Sequence, residues 1–305
     1  MTTREDALID LGRALRASGY SFVCVTPETH RRVNARAHRS TSLRDVFGWS
    51  RSFTKDTLPT TLFDGLGEAG ALVETEGGFR STVRFSTLGR DLFVHSAYPT
   101  TDADAVFFGP DTYRFCAAIA RANRQAERVV DLGCGSGAGG IVAARTSRRV
   151  VLADVSDAAL GHARVNAALA GLTDVEFVRS DILAQVTGPV DFIVANPPYL
   201  LDERHRTYRD GGGQLGEGLS LRMLRGALER LEPGGTLLLY TGAAVVDGID
   251  TFLRAACPLL ERANVSSHYE ELDPDVFGEE LQRDAYAAVD RIAAVVLTAT
   301  LPAIS

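Results

Sequence analysis

The sequence predicts an α/β protein: a doubly wound, mostly parallel sheet over residues 101–305, preceded by a smaller α+β domain over 1–100. Three observations carry this. Short apolar runs alternate with helical patterns from about residue 125 onward. The glycine-rich stretch "DLGCGSGAGG" (131–140) directly follows the first of those runs. The first hundred residues keep another rhythm, helices and then a hairpin. Strands buried on both faces and joined by helices require parallel pairing with right-handed crossovers.

Taken in order, "MTTREDALIDLGRALRASG" (1–19) has an amphipathic helical pattern and no apolar run of the kind a secretory leader needs. A basic segment follows, then short helical patterns at 43–49 and 57–69. "ALVETEGGFRSTVRFS" (71–86) reads as a hairpin turning at Gly77-Gly78. Helices followed by a hairpin give the order of a winged-helix module, expected to recognise or dock a substrate. "SAYPTTDADAVFFGPD" (96–111) is linker-like. Beyond it, "RVVDLG" (128–133), "RVVLADVS" (149–156), "VEFVRSD" (175–181) and "VDFIVA" (190–195) read as strands one to four. "DAALGHARVNAALAG" (157–171) is helical, with Asp157 near its start and Gly171 past its end. "LSLRMLRGALERLEPGG" is a helix leading into a fifth strand, "TLLLYTG" (236–242). "ANVSSHYEEL" and "RIAAVVLTATL" supply the last two strands, separated by a loop that holds "DPDVFGEE".

With 45% hydrophobic and 23% charged residues, 305 residues suffice for one large core or two domains, and disorder is excluded as the chain's general state. The longest apolar stretches fall short of the roughly 20 residues needed to cross a bilayer. Four scattered cysteines (Cys24, Cys116, Cys134, Cys257) form no CxxC pair, so free thiols, a cytoplasmic location and no metal site are expected. The net charge of −7 is unevenly spread: residues 1–60 hold ten Lys/Arg against six Asp/Glu. The run "THRRVNARAHRSTSLR" (29–44) reads either as a solvated helix face or as a patch for phosphate or an acidic partner. The acidic main body is a poor footprint for nucleic acid, whose binding draws on phosphate neutralisation.

The glycine stretch admits two cofactors. Gly135-Ser-Gly137-Ala-Gly-Gly140 satisfies the dinucleotide pattern GxGxxG, with Asp154 at the expected distance downstream. Read from Asp131 through Gly133, Gly135 and Gly137, it instead lets backbone approach an adenosyl-amino acid. The Asp131 carboxylate then holds a cationic α-amino group, and Asp154 accepts from both ribose hydroxyls in either reading.

"VANPPYL" (194–200) favours the second reading. Asn196 ends the fourth strand, beside the first at the point where strand order reverses, which is where open parallel sheets bind ligands. The Asn196 side-chain carbonyl and the Pro197 backbone carbonyl can each accept one hydrogen bond from a planar NH₂ and so aim its lone pair. Pro197 and Pro198 restrict the backbone that carries those acceptors. Tyr199 can stack against a flat acceptor. A nicotinamide-dependent oxidoreductase, resting on GxGxxG alone, leaves "NPPY" unexplained.

From about 105 to 300, the D-x-G-x-G-x-G form with these acids resembles the class I S-adenosylmethionine (SAM)-dependent methyltransferases. The resemblance implies a Rossmann-like sheet of seven strands with an antiparallel last strand, and SAM as cofactor. It further implies Asp181 and Ile182 beside the adenine amino group, and aromatic residues of "VFFGPDTYRF" (106–115), Phe108 among them, over the cofactor. "NPPY" is similar to the motif of N-methyltransferases acting on planar nitrogens, the release factor glutamine N5-methyltransferases above all. Their glycine-rich stretch is loosely matched by "DGGGQLGEGLS" (210–220). The first hundred residues look unlike that family's helical docking domain.

The expected reaction is methyl transfer to a guanidino, amide or amine nitrogen of a small molecule or amino acid. Protein glutamine and an RNA base are the alternatives, and a nicotinamide-dependent oxidoreductase is a distant one. Carboxylates following the motif, Asp202 and Glu217 first, are candidates for gripping a cationic acceptor and drawing off its proton. No membrane partner is expected.

Overall fold

The computed structural model describes residues 3–36 and 40–303. Its helices and strands are, in order, α1 (Arg4–Ala17), α2 (Pro27–Asn34), α3 (Leu43–Phe47), α4 (Thr60–Glu68), β1 (Leu72–Thr75), β2 (Gly78–Ser81), β3 (Val83–Leu88) and β4 (Asp91–Ser96). There follow α5 (Pro110–Ala122), β5 (Ala126–Leu132), α6 (Ala138–Ala143), β6 (Ser147–Asp154), α7 (Asp157–Leu169), β7 (Val175–Arg179), β8 (Phe192–Ala195) and α8 (Gly218–Arg230). The chain ends with β9 (Thr236–Val246), β10 (Ile249–Asp250), α9 (Thr251–Arg262), β11 (Ser266–Asp273) and β12 (Arg291–Thr300). It divides into two compact units: Met1–Tyr113 with Gly135–Ala138 and Ala158–Thr173, and the remainder.

The first unit is α+β. Local chemistry sets its helix ends: Thr3 and Asp6 form a capping box on α1, Ser42 and Asp45 another on α3, and Pro27 opens α2 behind the Thr26 cap. Leu11, Leu15, Phe47, Leu66 and Phe85 build its core together with Val165 and Leu169 of α7. Asn166, fully buried, explains why that helix belongs here. Its carboxamide accepts from Val94 N (2.7 Å) and donates to Val94 O (3.0 Å) and Ser136 O (2.9 Å). Two hairpins are present, β1–β2 and β3–β4. The first turns at Glu76-Gly77, one residue earlier than the glycine pair suggested, since Thr75 pairs with Gly78. Gly78 is instead a packing glycine: a Cβ there would strike the Phe53 carbonyl. Of the basic run, residues 37–39 lie outside the described residues, while Arg31 and Arg32 pair with Glu28 on an exposed face.

Two buried histidines predict acid sensitivity for this unit. His30 faces Trp49 O at 2.8 Å and Arg84 Nη1 at 3.3 Å, which fits Nε2–H donating and Nδ1 accepting. Burial first, then the Arg84 charge, pushes its pKa down to about 4. His95 is likewise held neutral, chiefly by burial. The unfolded chain protonates near 6.5 and the folded one does not, so this stabilisation is complete above that pH and is lost as pH falls toward 4. Thermal melts should therefore drop between pH 6.5 and 4. A His30→Gln variant should start lower at neutral pH and lose less over that interval.

The second unit holds a seven-strand path in the order β11-β12-β9-β8-β5-β6-β7, with the short β10 paired to β9. Strands β9, β8, β5, β6 and β7 run parallel, whereas β12 is antiparallel to both its neighbours. This is the doubly wound sheet with an antiparallel final strand that the sequence predicted. Its central strands carry buried apolar runs, as strands covered on both faces do: Val130, Leu132, Ile193, Ala195, Leu237 and Leu239 are each fully buried. Among the described residues, no helix is long and apolar enough to cross a membrane.

Candidate active site

Sheet register lines up the ends that matter. Leu132 pairs with Ala195 and with Ala153, so Gly133 and Asn196 leave their strands level with each other, and Asp154 closes β6 at the same height. Ala195 also pairs with Leu239, which sets Tyr240 beside Asn196. Strand order reverses between β5 and β8, so these carboxyl ends flank the crevice where such sheets take ligands. Asp154 and Asn196 stand two strands apart, about 10 Å at ordinary sheet spacing.

Asp131, near the end of β5, is 1% exposed, and its Oδ2 accepts from Gly140 N at 2.7 Å. Burial raises its pKa to about 7, the Asp154 charge adding to the rise and the Gly140 N–H opposing it. Among the described residues no cationic side chain pairs with it. Gly133, Gly135 and Gly137 all have left-handed backbone, with φ of +64°, +52° and +77°. Gly139 and Gly140 serve packing: a Cβ on the first would press the Phe115 ring, and on the second it would overlap Leu152. Asp154 accepts from Ser156 N through Oδ1 at 2.9 Å. Asp181 is exposed and pairs with Arg222 at 3.1 Å. Ile182 adopts a left-handed backbone and packs on the core under α8. Phe108, in the first unit, is 1% exposed and packs against Phe93, His95 and Tyr113.

Asn196 is half-buried, and among the described residues its carboxamide makes no hydrogen bond. No backbone N–H of the described residues reaches the Pro197 carbonyl. Two acceptors on a proline-restrained turn thus remain available for a ligand. An unexpected partner holds the turn. Gly211 N donates to Leu200 O at 2.8 Å, and a Cβ on Gly211 would lie 2.7 Å from Pro198 O and Tyr199 Cα. At Gly216 (φ +100°), a Cβ would overlap the Tyr199 carbonyl. The glycine-rich stretch before α8 is therefore a clasp on the "NPPY" backbone. The sequence signal was the density of glycines, whose contact partner lay too far along the chain to read.

Three of the expected site residues are engaged within the protein. Asp202 does not present a carboxylate for a cationic acceptor: Arg206 takes both its oxygens, at 2.5 and 2.8 Å, with Arg209 beyond. That hydrogen-bonded pairing holds its pKa well below the usual carboxylate range. Glu217 accepts from Gln214 N (3.2 Å) and Leu215 N (2.8 Å), fixing the loop ahead of α8. Tyr199 is 7% exposed, with its ring on the Gly242 backbone and near Tyr240 and Phe277, so it anchors the turn and offers no open stacking face.

Comparison with known proteins bears on this geometry. The methyltransferase small domain family matches residues 115–245. A release factor glutamine methyltransferase of Deinococcus radiodurans is 34% identical over 195 residues, 59% of this chain and 66% of that protein. A 4-amino-L-phenylalanine/4-methylamino-L-phenylalanine methyltransferase of Streptomyces pristinaespiralis is 32% identical over 150 residues, 45% of this chain and 51% of that protein. The chain thus matches between half and two thirds of the length of these relatives. In fold, TYW2 of M. jannaschii, solved in complex with AdoMet, gives a TM-score of 0.52 at 15% identity, over 73% of this chain and 87% of that one. The family match over residues 115–245 and these relatives together identify a class I SAM-dependent methyltransferase domain, related to the release factor glutamine methyltransferases.

Proposed function

We propose that the protein is a SAM-dependent N-methyltransferase whose acceptor is a neutral planar nitrogen, an amide or an amine, on a small molecule or amino acid. The observation that carries this is the pair of unbonded acceptors, Asn196 and Pro197, at the sheet position level with the Gly133 turn. A guanidinium acceptor loses its support, since Asp202 and Glu217 are both engaged within the protein.

SAM supplies an activated methyl on a sulfonium. Asp131 would hold the cofactor's ammonium and Asp154 its ribose, while the left-handed Gly133 would let the backbone close on it. Asn196 Oδ1 and Pro197 O each accept one N–H of the acceptor, so the nitrogen lone pair faces the methyl. The methyl would pass to that nitrogen as the C–S bond leaves its electron pair on sulfur, and the surplus nitrogen proton would pass to water. Such positioning contributes several kcal/mol, within the ~7–11 kcal/mol ceiling of oriented intramolecular systems.

The test is transfer from methyl-labelled SAM to 4-amino-L-phenylalanine, L-glutamine and intact release factor, with mass spectrometry locating the methyl. Label on nitrogen of a free amino acid is the expected result. Label on carbon or oxygen, or on no acceptor despite SAM binding, overturns the reading. The similarity to the D. radiodurans protein favours one second reading, protein glutamine, and label on release factor alone would select it.

Asp131 adds a pH signature. Its neutral form, favoured below pH 7 by burial, cannot hold an ammonium. SAM affinity should then weaken as pH falls below 7, by up to about tenfold per unit. Calorimetry on Asp131→Asn should show weak, pH-flat binding.

A further inference from the structure

The connection between β11 and β12 carries an aromatic residue in a costly conformation. Phe277 has φ +56° and ψ +37°, a left-handed backbone that bulky L-residues avoid, although the next residue is a glycine that could have occupied the position. Residues held this way persist where the surroundings enforce them, and they cluster at ligand sites. Here the surroundings do enforce it. Val276 N donates to Ile292 O at 2.8 Å, and Glu280 N donates to Phe277 O at 2.8 Å. Glu280 is 6% exposed and is gripped by Arg209 and by Arg283, the latter at 2.7 Å. Arg283 also donates to Leu201 O at 2.6 Å, and Leu201 N donates to the Tyr286 hydroxyl at 2.8 Å. The segment around Phe277 is thereby tied to the residue two positions beyond Tyr199.

The Phe277 ring meets Tyr199 edge to face, with centroids 5.9 Å apart, yet the residue is only half-buried. Tyr199 is already covered by Gly242 and Tyr240, whereas Phe277, packed on it beside the "NPPY" turn, still offers surface. We infer that Phe277 is an acceptor-binding residue, a wall that selects a nitrogen carried on a flat, apolar group, an aryl amine above a side-chain amide. This rests on the reading that Asn196 and Pro197 hold the acceptor nitrogen.

The experiment compares 4-amino-L-phenylalanine with a glutamine-containing peptide as acceptors for the wild type, Phe277→Gly, Phe277→Leu and Phe277→Tyr. The wild type should prefer the aryl amine. In Phe277→Gly, KM for it should rise about tenfold, the effect of losing one aromatic contact, with kcat little changed. Phe277→Tyr should restore the wild-type KM and Phe277→Leu should fall between. Unchanged SAM affinity by calorimetry shows that each variant is folded. Transfer to the peptide in preference to the aryl amine, or an unchanged KM in Phe277→Gly, overturns this assignment alone. Absence of transfer to either nitrogen in a SAM-binding wild type overturns the underlying reading along with it.

Discussion

Replacing Asn196 by alanine should leave SAM affinity within about twofold while slowing methyl transfer by about a hundredfold or more, the usual cost of losing one preorganised polar group at a reacting centre. The division follows from geometry. Asn196 lies just past the end of β8, while the carboxylates assigned to the cofactor lie near the end of β5 and at the end of β6. Its carboxamide is tied to nothing among the described residues, so alanine breaks no internal bond and the fold should be spared. What disappears is one of two acceptors that turn the nitrogen, and only the reacting complex registers that loss. Asn196→Asp keeps an acceptor oxygen and should recover part of the rate. Quench-flow transfer kinetics beside SAM calorimetry checks the split. Weakened SAM binding at unchanged turnover would move Asn196 to the cofactor side.

A larger structural effect is expected at Gly216. Its φ of +100° is closed to L side chains, and a Cβ would overlap the Tyr199 carbonyl, which is backbone and cannot swing aside. Gly216→Ala should therefore cost more than about 3 kcal/mol or displace the turn, in the range of backbone strain combined with core overpacking. Transfer should be lost in either case. Gly212 is the control four residues away: its φ is +62°, but a Cβ there meets nothing within 4 Å. Gly212→Ala should cost only about 1–2 kcal/mol, the left-handed penalty alone. Urea unfolding of both variants, with transfer assayed on each, separates the clash from the dihedral.

The candidate site residues differ in how far the sequence discloses them. Asp131, Asp154 and Asn196 were legible because each closes an apolar run, and a parallel sheet brings such ends to one edge whatever the intervening length. Phe192–Ala195 was readable as a buried strand for the same reason. The state of a charged side chain is another matter. Asp202 and Glu217 looked available in the sequence, but their partners are Arg206 and two loop amides, chosen by how the chain turns after Tyr199. Asn166 in the middle of a helical pattern was a signal that α7 reaches a polar backbone, and it bonds Val94, far away in sequence. Phe277 carried no mark at all: only its dihedral angles distinguish it from any half-buried aromatic.

A crystal structure of the protein with S-adenosylhomocysteine tests the proposed chemistry most directly. The ribose hydroxyls should sit on Asp154, the ammonium on Asp131, and the sulfur should face the crevice bounded by the Asn196 carboxamide and the Pro197 carbonyl. A sulfur directed away from those two oxygens, or an Asn196 side chain turned out of the crevice, would contradict it.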